Sequence, residues 1–249
     1  MKQAGLTNFY SYIPLGIDTS VFKPLNKSDC KKIWKIPEDY FIIGLVGGNY
    51  EREMRKRWDK NLEAIKIFKE QNPDAKFKIF IHSDVKDTHH GVDILGIIKF
   101  LDLEQEALIS DPYFFRVPLL YNKMPTIYNC FDIYMNLSSR EGFGLCALEA
   151  QACGIPAIQT DFSSMTELTH PDLRVKVQAK IMTPLISWTA IPDAWDAAQK
   201  IEMLWKSPTK LKKYSKWSLE FARKYDWNGE LVKGRWKITL EKAEKELGK

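Results

Sequence analysis

The stretch Ser138–Pro156 reads SSREGFGLCALEAQACGIP, and it decides how the rest of the chain is read. It follows DIYMNL (Asp132–Leu137), a run with the composition of a buried strand. Gly142 and Gly144 flank Phe143 just ahead of a helical pattern, Leu145–Cys153. Glycine lets a ligand approach the backbone closely. A helix N-terminus offers unpaired N–H groups and the positive end of a dipole, which suits a phosphate or a sugar hydroxyl. Glu141 stands just before the turn, and Glu149 lies eight residues later in the helix. Both carboxylates can face one crevice. Carboxylates beside an anion site make sense as acceptors for the vicinal hydroxyls of a ribose and a sugar. The bland alternative makes Glu141 a capping acid and leaves Glu149 exposed.

Outward from this segment, strand and helix patterns alternate. Phe41–Val46, Lys76–Ile81, Tyr113–Pro118 and Pro156–Thr160 read as further strands. Trp58–Glu70, Asp93–Leu101 and Pro125–Cys130 read as helices. Repeated alternation implies βαβ units around a parallel sheet, with ligands bound beyond the carboxyl ends of the strands. The loops after Val46, Ser83, Pro118 and Leu137 are therefore the places to look. From Pro192 onward the pattern is helix after helix, with Pro192 in a first-turn position. Ile191, Ala194, Trp195, Ala198, Ile201 and Trp205 follow helical spacing, and Trp217, Phe221, Trp227 and Trp236 come later. Such an aromatic stripe reads as core, with some of it free to face a partner domain.

The chain has 249 residues, 45% hydrophobic and 28% charged, which describes an ordinary globular protein. A net charge of +5 is mildly basic and concentrates at Arg52–Lys60 and after Lys206. No nucleic-acid-binding signature accompanies it, and a nucleoside diphosphate fits the charge as well. Cys30, Cys130, Cys146 and Cys153 are dispersed without a CxxC pair, so a reducing cytoplasm is the expected setting. No apolar run is long enough to span a bilayer, and contact with a membrane surface stays open. His89 and His90 adjoin Asp84 and Asp87, but adjacent residues chelate one ion poorly, so no metal is expected. His82 ends a strand near the expected crevice, within reach of a donor.

EGFGLCALEAQACGIP resembles the E-x7-E motif of retaining GT-B glycosyltransferases, the family 4 group. Three further segments are similar to that family, in its order. IPLGIDTSVFKP (Ile13–Pro24) resembles the linker that opens the family's C-terminal domain. KRWDKNLEA, within Gly47–Phe68, resembles the loop and helix that hold the donor diphosphate. MPTIYNCFD (Met124–Asp132) resembles the short helix ahead of the E-x7-E strand. The resemblance covers roughly residues 9 to 240.

It implies an α/β fold: a Rossmann-like parallel β-sheet flanked by helices, one half of a GT-B fold, with a helical C-terminal tail. Residues 1–24 would be a linker from an N-terminal acceptor domain, 25–190 the donor-binding domain, and 191–249 helices packing on it. The donor would be a UDP-, GDP- or ADP-linked sugar, used without a metal or other cofactor for retaining hexosyl transfer. Glu149 would bind the ribose, and Glu141 the sugar hydroxyls. Gly142 and the N–H groups of Phe143, Gly144 and Leu145 would line the sugar and phosphate. Lys56 and Arg52 would neutralise the diphosphate, with Arg55 as the alternative arginine. Glu167 and Ser164 fall in a loop that the family also uses, where a capping role fits equally. With only about a dozen residues ahead of the linker motif, the acceptor half is expected on a partner chain or absent. The competing reading is a non-catalytic nucleotide-sugar-binding module or the subunit of a split enzyme.

Overall fold

The computed structural model describes residues 12–50, 54–86, 91–111, 121–184, 186–246 and 248. Six strands form one parallel sheet: β1 (Phe41–Val46), β2 (Phe77–His82), β3 (Ala107–Ile109), β4 (Ile133–Asn136), β5 (Ala157–Thr160) and β6 (Arg174–Val175). Their order is β3-β2-β1-β4-β5-β6. Chain order thus reverses between β1 and β4, and the connections leaving these two strands diverge. A crevice opens there, at the carboxyl edge. The expected strand Tyr113–Pro118 lies outside the described residues.

Helix α1 (Lys27–Ile33) precedes the sheet, and between and after the strands come α2 (Trp58–Gln71), α3 (Ile94–Phe100), α4 (Met124–Tyr128), α5 (Leu145–Ala152), α6 (Met165–Leu168), α7 (Ala194–Lys206), α8 (Pro208–Ala222) and α9 (Arg235–Glu246). Successive strand residues point to opposite faces, so β1 feeds two cores. Ile43 and Leu45 pack with α2, α3 and α7, whereas Ile42 and Val46 pack with α4 and α5. Gly44 sits where the Phe131 ring lies against β1; a Cβ there would come within 2.1 Å of the ring. This close fit brings the segment entering β4 down onto β1.

Two expectations for the tail need correction. Pro192 does not open a helix. It ends β8 (Trp188–Pro192), which pairs antiparallel with β7 (Val177–Met182), and Ile191 belongs to that strand as well. The cap of α7 is Asp193, whose carboxylate accepts from the Trp195 and Asp196 N–H groups. Nor is the aromatic stripe uniformly core: Trp195, Trp227 and Trp236 are exposed. The buried side of α7 is Ala194, Ala197, Ala198, Ile201 and Leu204, which turns Trp195 outward.

Residues 12–24 run back across the tail. The Ile17 N–H donates to the Tyr225 carbonyl at 2.9 Å, and the Trp227 N–H to the Ile17 carbonyl at 2.9 Å. Ile17 and Phe22 are buried, so this segment is part of the core it was expected to lead into.

Candidate functional site

The crevice between β1 and β4 is closed at one side by the turn that precedes α5. Gly144 caps that helix in a left-handed conformation, φ 107° and ψ 47°, which a side chain would strain. No side chain caps the helix, and uncapped N–H groups at a helix N-terminus suit an anion or a hydroxyl.

Glu141 projects into this crevice and meets the basic loop that follows β1. Lys56 Nζ lies 2.6 Å from Glu141 Oε1, and Arg55 Nη1 lies 2.9 Å from Oε2. Ser138 Oγ adds a contact of 2.8 Å to Oε1, and Asn136 Nδ2 one of 3.3 Å. The backbone is clamped as well: the Glu141 N–H donates to Ser163 Oγ at 3.0 Å, and Ser164 Oγ donates to the Glu141 carbonyl at 3.0 Å. The Glu141 side chain is 9% exposed. Burial alone would raise its pKa, but the Lys56 charge and hydrogen bond, the Ser138 hydroxyl and the Arg55 charge outweigh it. The carboxyl is held below its ordinary value and stays ionised.

Glu149 sits one turn deeper. Tyr128 Oη donates to its Oε2 at 2.6 Å. Burial pushes the Glu149 carboxyl up, and that hydrogen bond recovers part of the shift. Both glutamates act on the buried Tyr134, raising its phenol further beyond the effect of burial, so they share one neighbourhood. Two carboxylates of opposite pKa direction thus line one crevice: one ion-paired, the other capped by a phenol.

The loop carrying the cations is fixed by a residue that sequence reasoning passed over. Asn61, buried on α2, donates from Nδ2 to the Lys56 and Arg57 carbonyls at 3.0 and 2.8 Å. Its Oδ1 accepts from the Leu137 N–H at 3.0 Å. One amide therefore ties the basic loop to the end of β4. The signal was available: Asn61 is a polar residue on the apolar face shared by Trp58, Leu62 and Ile65. A second tie runs from the Ser139 N–H to the Arg55 carbonyl, 2.8 Å.

Not every expected residue converges. Arg52 lies outside the described residues, as do Asp87, His89 and His90. Arg55, the alternative arginine, holds the place beside Glu141. Phe143 does not line the crevice with its ring, which packs edge-on against Tyr225 at 6.1 Å. Gly142 and Leu145 are exposed at the turn, and Glu167 is exposed on α6. His82 is buried, with Nδ1 2.9 Å from Ser110 Oγ, and burial lowers its pKa to about 4. Among the described residues no group of three or more His, Cys, Asp or Glu is placed to hold a metal. Recesses of 20 and 10 Å³ flank Lys56, the first also lined by Arg55. A roomier cleft of 750 Å³ lies at the amino edge of the sheet. Its lysines are engaged, Lys27 with Asp132 and Lys31 with the Glu38 and Tyr40 carbonyls.

The profile described as "Glycosyl transferases group 1" matches residues 26–216, most of the chain. The chain belongs to this glycosyltransferase family. A D-inositol 3-phosphate glycosyltransferase of Stackebrandtia nassauensis is 27% identical over 153 residues, covering 61% of this chain and 33% of that protein. The chain spans roughly a third to a half of the length of such curated relatives. Two solved structures show the same fold. Sucrose-phosphate synthase from Thermosynechococcus elongatus superposes with TM-score 0.69 at 19% identity, over 95% of this chain and 51% of that one. An Anabaena protein solved in complex with UDP-glucose gives TM-score 0.66 at 17% identity, over 94% and 57%. The reversed sheet order and the tail of helices match these neighbours: the chain carries one α/β half of the GT-B architecture.

Proposed function

We propose that this chain binds the nucleotide-diphosphate sugar donor of a retaining hexosyl transfer, in the crevice between β1 and β4. The observation that carries the reading is the meeting of Arg55 and Lys56 with Glu141 beneath the open N-terminus of α5. A diphosphate in this position takes over the two cations. Glu141, released from them, is free to accept hydrogen bonds from sugar hydroxyls. Glu149 accepts from the ribose, and its raised pKa is offset as those hydroxyls solvate the carboxylate. When the glycosidic bond breaks, negative charge grows on the departing diphosphate. Fixed cations and N–H dipoles stabilise it without reorganising, and loss of one such group raises a barrier by about 3 kcal/mol. The donor is the substrate; no metal or other cofactor enters this account. The Anabaena relative was crystallised with UDP-glucose, which makes UDP the first nucleotide to test, ahead of GDP and ADP.

Calorimetric titration with UDP and with uridine decides the matter. Lys56→Ala is expected to weaken UDP binding by about tenfold to a hundredfold and uridine binding by little. Equal losses for both ligands would overturn the assignment. A second reading is a donor-binding module that turns over only together with an acceptor-binding domain; the matched relatives are roughly two to three times as long as the segment they share with this chain. Sugar transfer by the 249-residue chain alone excludes it.

A further inference from the structure

Strands β7 and β8 form a hairpin whose inner end packs on the fold, with Ala190 buried, and whose outer end is exposed. In β7 every residue from Gln178 to Met182 is exposed. Its outer end is apolar: Ile181, Met182 and Trp188 are 50%, 54% and 53% exposed, and Ile186, in the turn, 85%. Met182 is paired with Trp188, so their side chains share one face, while Ile181 points to the other. A protein partner laid on one face of such a ribbon leaves the second face wet. Apolar groups on both faces and at the tip fit a medium that surrounds it.

The turn points the same way. Ile186 has φ 54°, a left-handed conformation that is an outlier for a β-branched residue. Glycine or asparagine would fit the backbone without strain. The chain instead spends local stability to hold a large apolar side chain outermost. The charge pattern is also one-sided. From Leu173 to Pro192 there are three cations, Arg174, Lys176 and Lys180, and no aspartate or glutamate. Lys176 and Lys180 are exposed, with the Lys180 ammonium 5.6 Å from the Phe162 ring centroid. Acids come only at the base, where Asp196 Oδ2 accepts from the Lys176 N–H at 2.9 Å; above it, an apolar tip with a tryptophan and the Lys180 ammonium are complementary to the headgroup layer of an anionic membrane.

We propose that strands Val177–Met182 and Trp188–Pro192, with Ile186 beyond them, dock this chain on an anionic lipid surface, the apolar end entering the headgroup layer and the lysines facing the phosphates. Such contact is peripheral, since no helix among the described residues is long and apolar enough to cross a membrane. The root of the hairpin is tied to the candidate site: the Ala190 N–H donates to the Ser139 carbonyl at 2.9 Å, two residues from Glu141.

The test is co-sedimentation of the full chain with vesicles of phosphatidylcholine alone and of phosphatidylcholine mixed with phosphatidylglycerol. Binding is expected only to the mixed vesicles, and added salt should weaken it. Ile186→Ser with Trp188→Ser is expected to lower the partition coefficient about a hundredfold. Lys176→Glu with Lys180→Glu is expected to abolish the preference for anionic lipid. These side chains are exposed, so unchanged thermal unfolding and UDP titration will show that each variant is folded, and the UDP result stands or falls apart from this one. Failure of the wild type to sediment with the mixed vesicles overturns the proposal, and so does equal sedimentation of the serine variant. A wild-type dimer in light scattering that the serine substitutions dissolve would assign the hairpin to a second copy and likewise overturn it.

Discussion

Glu141 and Glu149 occupy one crevice but respond to pH in opposite senses. The folded-state pKa of Glu141 is lowered, so its stabilisation is present above the unfolded value, about 4.3, and is lost as pH falls through the folded one. The folded-state pKa of Glu149 is raised, so its contribution is present below the unfolded value and is lost as pH rises through the folded one. Glu141→Gln is therefore expected to lower unfolding free energy at pH 7 by about 2 kcal/mol, between the values for exposed and buried pairs. The melting point should drop by about 4–8 °C, and the difference should shrink as pH falls below the ordinary carboxylate range. Glu149→Gln, which removes a charge held against desolvation, should cost less at pH 7 than at pH 3. Calorimetric melts of both variants at the two pH values check the signs; a parallel response would refute them. The E-x7-E spacing made these two positions legible in sequence. The partners of Glu141 were less so: charge and motif together singled out Lys56, while Arg55, which lies beside the carboxylate, entered only as the alternative to Arg52, because two arginines in one basic loop look alike in sequence.

At the level of elements, what was legible followed from periodicity. Strands β1 and β2 and helices α2 and α5 announce themselves because each buries a regular apolar pattern. The β7–β8 hairpin does not, since β7 buries almost nothing and leaves no alternation to read. Asn61 was hidden for the converse reason: its meaning lies in contacts to carbonyls and an N–H that are remote from its own helical pattern. Replacing it with leucine leaves the Leu137 N–H and the Lys56 and Arg57 carbonyls without their side-chain partner. Urea unfolding of Asn61→Leu is expected to show a loss of about 3 kcal/mol. UDP binding should weaken with it, because the basic loop loses its tie to β4. An unchanged urea midpoint would mean that the loop is held by something else.

The whole molecule is unevenly built. Its two cores take up the sheet and the helices through α8, whereas α9 has no buried residue and is linked to the rest by such contacts as Arg235 Nη1 to the Tyr12 carbonyl, 2.9 Å. Ending the chain after Gly234 is expected to shift the melting point by no more than about 3 °C, the equivalent of roughly 1 kcal/mol, with UDP affinity within about twofold. A collapse of the thermal transition on truncation would show that α9 belongs to the cooperative unit. The sheet order carries a consequence in time rather than space. Residues Ile43 and Ile133, partners across the β1–β4 joint, are separated by roughly ninety positions of chain. A ribosome that has released β1, β2 and β3 has made a sheet fragment whose inner edge still lacks its neighbour. The crevice comes into being only when β4 and α5 arrive, so in the life of a nascent chain the ligand site is younger than the scaffold beside it.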